Sequence, residues 1–152
     1  MQYAIAKTRE GINEGNSPFG AAVVKDGKIV SCTHNTVWPD IDPTAHAEVN
    51  AIRAAAKALK TIDLTGCVMY TTCEPCPMCL SAIHWSKIDK VIYGATIADA
   101  AEAGFNELKF DAKRLAKEGG SRLIVEQSSE ESRRECAGLF QEWKEAAKGK
   151  VY

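Results

Sequence analysis

Two short clusters in this 152-residue chain combine side chains that bind metals with one that moves protons. The first is His46-Ala47-Glu48. The second is Pro75-Cys76-Pro77-Met78-Cys79, with Cys73 just before it. Cys76 and Cys79 are three residues apart, so at the start of a helix both sulfurs fall on one face. Backbone amides and the positive helix end favour their thiolates there. His46 supplies a neutral imidazole. One nitrogen and two sulfurs suit zinc, at roughly 2.0 Å for nitrogen and 2.3 Å for sulfur. Three protein ligands leave a fourth position for water, the pattern of a catalytic site. Glu48 lies about 200° from His46 around a regular helix. The two side chains therefore converge on one cation only at the helix's N-terminal mouth. Glu48 then suits proton transfer beside a water that zinc acidifies toward a pKa of ~7. The expectation is one zinc per chain, bound by His46, Cys76 and Cys79, with Glu48 catalytic.

Cys73 leaves two other readings open. With His46, Cys76 and Cys79 it could close a structural zinc site, making a binding module without catalysis. The Cys-x-x-Cys-x-x-Cys run could also seat an iron–sulfur cluster, which would want a fourth ligand and leave His46 and Glu48 without a role. Cys32, Cys67 and Cys136 stand alone and read as small buried hydrophobes. The N-terminal residues lack the basic-then-apolar layout of a signal peptide, so the cluster Cys73, Cys76 and Cys79 reads as metal-binding or redox-active before it reads as disulfides.

These clusters need a scaffold that brings residue 46 to residue 76. Residues 1–15 read as a helix. Residues 19–25 and 28–32 are β-prone and flank Asp26-Gly27, a strong hairpin signal because both turn residues tolerate positive φ. A polar loop, 35–43, leads into an alanine-rich helix over 44–57 with Thr44 available as N-cap. Residues 67–72 read as a third strand running into the cysteines, 76–85 as a helix, and 90–95 as a fourth strand. A helix over 110–117, a strand over 122–126 and a long helix over 128–148 complete the chain, with Ser128 and Glu131 offering a capping box. An opening hairpin followed by alternating helices and strands predicts a three-layer α/β/α sandwich around a mixed five-stranded sheet. No repeat, linker or composition shift divides the chain, so residues 1–152 read as a single domain.

Composition limits the partners. Hydrophobic residues make up 45% and charged residues 26%, ordinary values for a globular protein. No apolar run approaches the roughly 20 residues of a membrane span, and a cytoplasmic location is expected. Nineteen basic and 20 acidic residues give a net charge of −1. Nucleic-acid binders usually carry a basic excess, and the basic residues around 113–122 are interleaved with Asp111 and Glu118. A small neutral substrate suits this balance better than RNA or DNA.

His-x-Glu followed thirty residues later by Pro-Cys-x-x-Cys resembles the signature of the zinc-dependent nucleobase deaminases. The order of strands and helices resembles that superfamily over essentially the whole chain, implying a cytidine deaminase-like fold. The resemblance implies hydrolytic deamination: water attacks an amidine-like ring carbon, the glutamate carries a proton to a ring nitrogen, and ammonia leaves. Residues 42–53 resemble the purine-acting branch, shared by guanine deaminases and tRNA adenosine deaminases. Residues 99–107 and the ending Phe140-Gln141-Glu142-Trp143 with Val151-Tyr152 resemble guanine deaminases. That implies guanine as the base, a homodimer, and a C-terminal tail swapped between subunits so that Tyr152 closes the neighbour's pocket. It further implies that Glu107 is a second catalytic carboxylate, although some relatives carry Asp there, and Glu102 is the fallback. Asn35 would hold the base by its amide, with Phe19, Ala47 and Trp85 bordering it and Phe105 acting as a lid. His84 has no assigned role. The alternatives are tRNA adenosine, guanosine, another nucleobase and aminotriazines.

Overall fold

The computed structural model describes residues 1–146. The Asp26-Gly27 signal forms the expected turn, with φ of 50° and 72°, joining β1 (Gly20–Lys25) to β2 (Lys28–His34). These strands pair antiparallel, with an irregularity between Val23 and Val24. β3 (Cys67–Cys73) lies antiparallel on the other side of β1, then β4 (Lys90–Ala95) and β5 (Ile124–Gln127) continue parallel to it. The resulting order is β2-β1-β3-β4-β5 in one mixed five-stranded sheet, as the sequence predicts.

Helices cover both faces. On one side, α1 (Gln2–Asn13) lies on β1 and β2, and α7 (Glu130–Glu145) lies on β4 beside it. On the other, α3 (Ala47–Leu59) packs on β1 and β2, α4 (Pro77–Trp85) packs on α3, and α6 (Ala112–Glu118) packs on α4 and β5. Central-strand residues Val23, Met69 and Val91 are fully buried between these layers, as are Ile5, Leu139 and Ile83 from the helices. Truncating one of the larger of these to alanine costs about 2–5 kcal/mol.

Several boundaries differ from the sequence reading. The loop over 35–43 contains a turn of helix, α2 (Val37–Asp40). Helix α3 starts at Ala47, because the hydroxyl and amide of Thr44 both donate to Asp42 Oδ1, at 2.6 and 2.8 Å, instead of Thr44 capping the helix. A helix absent from the sequence reading, α5 (Ile97–Ala103), begins with a capping box between Thr96 and Asp99. The last helix is capped by Ser129, not Ser128.

β3 and β4 end side by side, Cys73 opposite Ala95. The loops that leave them carry the cysteines and residues 104–111. Sites gather at the carboxyl ends of parallel strands for this topological reason.

Candidate metal centre and active site

His46 and Cys76 are the N-cap residues of α3 and α4, so the two helix mouths meet at the end of β3. His46 Nδ1 lies 3.8 Å from Cys76 Sγ and 3.4 Å from Cys79 Sγ. All three donor atoms fall within 4.8 Å of one another. A tetrahedral zinc with the usual bond lengths requires nitrogen–sulfur edges of about 3.5 Å, so the donor set fits one zinc ion. In the metal-free chain a hydrogen bond from Cys79 pulls the Cys76 thiol down to about 4, and the same bond pushes Cys79 well above its ordinary value. The pair then shares one proton, which a cation displaces.

Cys73 is not part of this group. It is buried, and its thiol donates toward the Thr96 carbonyl at 3.5 Å. That removes the closed four-ligand reading and the iron–sulfur reading together. Among the described residues a second set of metal-type donors is Glu10, Glu14 and His34, where Lys7 already holds Glu10 at 2.7 Å.

Glu48, the second residue of α3, is 6% exposed, and Thr71 of β3 donates its hydroxyl to Oε1 at 3.1 Å. Burial pushes its carboxyl above the ordinary value, with His46 opposing. Because His46 is a cap and not a helical residue, the angular conflict with Glu48 disappears.

A cavity of about 300 Å³ opens beside the donors, lined by His46, Cys76, Pro43, Met78, Phe105 and Glu107 among others. This is the small end of the roughly 300–1,000 Å³ range of ligand sites, a size for a single base. Glu107 Oε2 is buried without a hydrogen-bond partner among the described residues. Burial, reinforced by the negative charge at Cys76 and Glu48, pushes this carboxyl up to about 8. An unpaired buried polar atom costs about 1–3 kcal/mol, and perturbed carboxyls of this kind concentrate at functional sites.

Asn35 is fully buried. Its Oδ1 accepts the Val37 amide at 3.2 Å and its main-chain N–H donates to the Phe19 carbonyl at 3.0 Å. His34 Nδ1 donates to the Asn35 carbonyl at 2.9 Å, while Nε2 meets Glu14 at 3.2 Å. That ring lies flat against α1 at Gly11, where a Cβ would come within 2.8 Å of its Cγ. Asn50 closes the same loop from the other side. Its Nδ2 lies 3.2 Å from the His34 carbonyl, 2.8 Å from Thr36 Oγ1 and 3.2 Å from the Ala45 carbonyl. Asn50 and Thr71 thus support site residues, yet nothing in their sequence context marks them.

Other expected site residues sit elsewhere. Trp85 is 82% exposed at the end of α4 and borders a separate hollow with His84 and Leu115, so it does not border the cavity. Phe19 packs behind the cavity wall, edge-on to Phe105 at 4.8 Å and to Phe140 at 5.8 Å. Ala47 is fully buried beside His46. Glu102 borders another hollow, near Tyr93 and Lys109. Trp143 is buried by its own chain against Phe105, ring centres 5.1 Å apart. Tyr152 lies outside the described residues.

Residues 1–95 match the family model of the cytidine and deoxycytidylate deaminase zinc-binding region. A guanine deaminase from Bacillus subtilis is 44% identical over 100% of this chain and 96% of its own length. A tRNA-specific adenosine deaminase from Aquifex aeolicus is also 44% identical, over 62% of this chain and 63% of its own length. The solved guanine deaminase from Nitrosomonas europaea superposes with a TM-score of 0.85 at 26% identity, over 95% of this chain and 82% of that one. The Bacillus subtilis guanine deaminase structure, at 49% identity, superposes with a TM-score of 0.66 over 76% of this chain and 71% of that one. Together with the His46, Cys76 and Cys79 donor set, these similarities settle the family: the chain belongs to the zinc-binding cytidine and deoxycytidylate deaminases.

Proposed function

We propose that this protein hydrolyses guanine to xanthine and ammonia, with one zinc per chain. The observation that carries the reading is Glu107, half-buried, whose Oε2 is buried without a hydrogen-bond partner among the described residues, in the same base-sized cavity as His46 and Cys76. Guanine offers two adjacent donors, N1–H and the 2-amino group, to satisfy it. Adenine has a bare N1 and would set an acceptor against an acceptor, a mismatch that sites built on hydrogen bonds reject strongly.

When bound, zinc supplies an acidified water within the cavity. His46, Cys76 and Cys79 hold the cation. Glu48, kept beside them by Thr71, takes one proton of the attacking water and delivers it to N3 as the new C2–O bond forms. Glu107 takes the proton of the new C2 hydroxyl and passes it to the departing amine. The C2–N bond breaks, and the two protons of water end on N3 and on ammonia. Asn35, expected to hold the base, is fully buried and does not line the cavity; it steadies the loop that His34 and Asn50 brace. Phe105 forms the wall, backed by Phe19.

The same reading includes a homodimer in which the C-terminal tail completes the neighbouring site. Sequence similarity to the Bacillus subtilis enzyme spans 100% of the chain, whereas its structure superposes on 76% of it.

The test is ammonia release from guanine, guanosine, adenine, adenosine, cytosine, cytidine and tRNA with zinc-loaded protein at two salt concentrations. Guanine turnover insensitive to salt is expected. Release from adenosine in tRNA, falling steeply with salt as counterion release requires, would overturn the reading.

A further inference from the structure

Glu74 stands between Cys73 and the metal-binding Cys76, separated from Cys76 only by Pro75, and is 7% exposed. Its carboxylate serves two distant amides. Oε2 accepts the N–H of Ile97 at 3.2 Å and Oε1 accepts the N–H of Ala112 at 2.9 Å. Its own amide donates to the Ala95 carbonyl at 2.8 Å. Ile97 and Ala112 are the first residues of α5 and α6, whose opening amides have no partner inside their own helices. The two anchored amides bracket the whole excursion that runs through α5, the irregular residues 104–111 and Glu107. Within it, only Phe105 is deeply packed among the irregular residues, against Phe19, Phe140 and Trp143.

We propose that Glu74 is a positioning residue for the deamination: by pinning both ends of residues 97–112 to the cysteine turn, it fixes the Glu107 carboxylate relative to the metal centre. The proposal rests on the reading that Glu107 meets the base. One side chain thereby couples the two halves of the site, the cation that activates water and the carboxylate that handles the amine. Pro75 stiffens the link, because its ring fixes φ between Glu74 and the ligand. Glutamine in place of Glu74 keeps the shape but replaces one acceptor by a donor facing an amide. One anchor is lost, and Glu107 drifts while its own chemistry is untouched. A misplacement of about 1 Å is worth on the order of 100-fold in rate.

The experiment is a double-mutant cycle of Glu74→Gln and Glu107→Gln, reading zinc content, kcat and KM for guanine. Glu74→Gln is expected to keep one zinc per chain and lose about 10- to 100-fold in kcat, with a smaller change in KM. In the Glu107→Gln background the same substitution should change kcat less than about twofold, since there is no carboxylate left to place. Ala112→Pro removes one anchor from the other side, at a first-turn position that tolerates proline, and should reproduce the kcat loss with zinc retained. Wild-type turnover in Glu74→Gln, an equal loss in both backgrounds, or loss of zinc along with activity would each overturn the positioning role. Wild-type turnover in Glu107→Gln alone would instead sink the reading of Glu107.

Discussion

His46 and Cys76, thirty residues apart, hold the same place in two helices: each is the N-cap, at φ −64°, ψ 155° and φ −63°, ψ 164°. Neither side chain caps its own helix. Both are aimed across the helix mouths toward each other, and the capping bond that Ser, Thr, Asp or Asn would make, worth about 0.5–2 kcal/mol, is given up at each position. Metal binding here displaces helix capping, so the site should cost stability in the metal-free chain.

Cys76→Ser tests that trade directly. Serine restores a good N-cap to α4 but is a poor zinc ligand. Below about pH 4, where the hydrogen-bonded Cys76 thiolate of the metal-free fold is protonated and no longer contributes, the metal-free variant should be more stable than the metal-free parent by about 1 kcal/mol in urea unfolding, while zinc binding at neutral pH collapses. A metal-free variant less stable than its parent below that pH would refute the trade.

Glu48→Gln separates proton transfer from metal binding. Glu48 is buried beside the donors but belongs to no donor group, and its oxygen is held by Thr71. The variant should retain about one zinc per chain and lose at least ~100-fold in guanine turnover, the scale of general acid–base catalysis. Zinc loss would make Glu48 a ligand; full activity would remove it from the reaction.

Much of this architecture is legible in the sequence, and the failures have common causes. The hairpin, the five strands and the ligand set follow from local signals: a turn dipeptide, short apolar runs, and ligand types at helical spacing. The start of α3 is misread because Thr44, a good cap in isolation, spends its hydroxyl on Asp42. Helix α5 is short and alanine-rich, with its capping box at Thr96 and Asp99 the one readable cue. Trp143 is a large aromatic on a charged final helix, and Phe105 arrives from the 104–111 loop to cover it. Trp85 has no such cover. Glu74 is the deepest omission. Its partners are main-chain amides 23 and 38 residues away, and no residue type records where a backbone N–H will be.

Removing residues 149–152 tests the proposed assembly. If the tail of one subunit closes the site of the next, the truncated protein should keep its zinc and its circular dichroism spectrum. Guanine KM should rise and kcat should fall. Unchanged kinetics would exclude the tail from the site, whatever the oligomeric state.

Glu107→Gln exposes the cost of holding a carboxylate with a buried, unpaired oxygen beside the cavity. Burial raises this carboxyl from 4.5 to about 8 in the folded chain. Below about pH 4.5 the group is protonated folded and unfolded, and it contributes no difference. As pH rises, the unfolded chain releases the proton while the native protein keeps it. Native stability is therefore lost progressively until pH passes the folded value near 8, at up to about 1.4 kcal/mol per pH unit. Glutamine does not titrate, so the stability advantage of Glu107→Gln over the parent should grow from about pH 5 to 8 and then level. Urea midpoints of the metal-free proteins at several pH values measure it, because a bound dication nearby would pull the carboxyl back down. The variant with the least guanine turnover should thus be the more stable protein at neutral pH, the trade expected of a strained functional group. A pH-independent difference between the two proteins would mean that Glu107 is solvated and does not wait unpaired for a substrate.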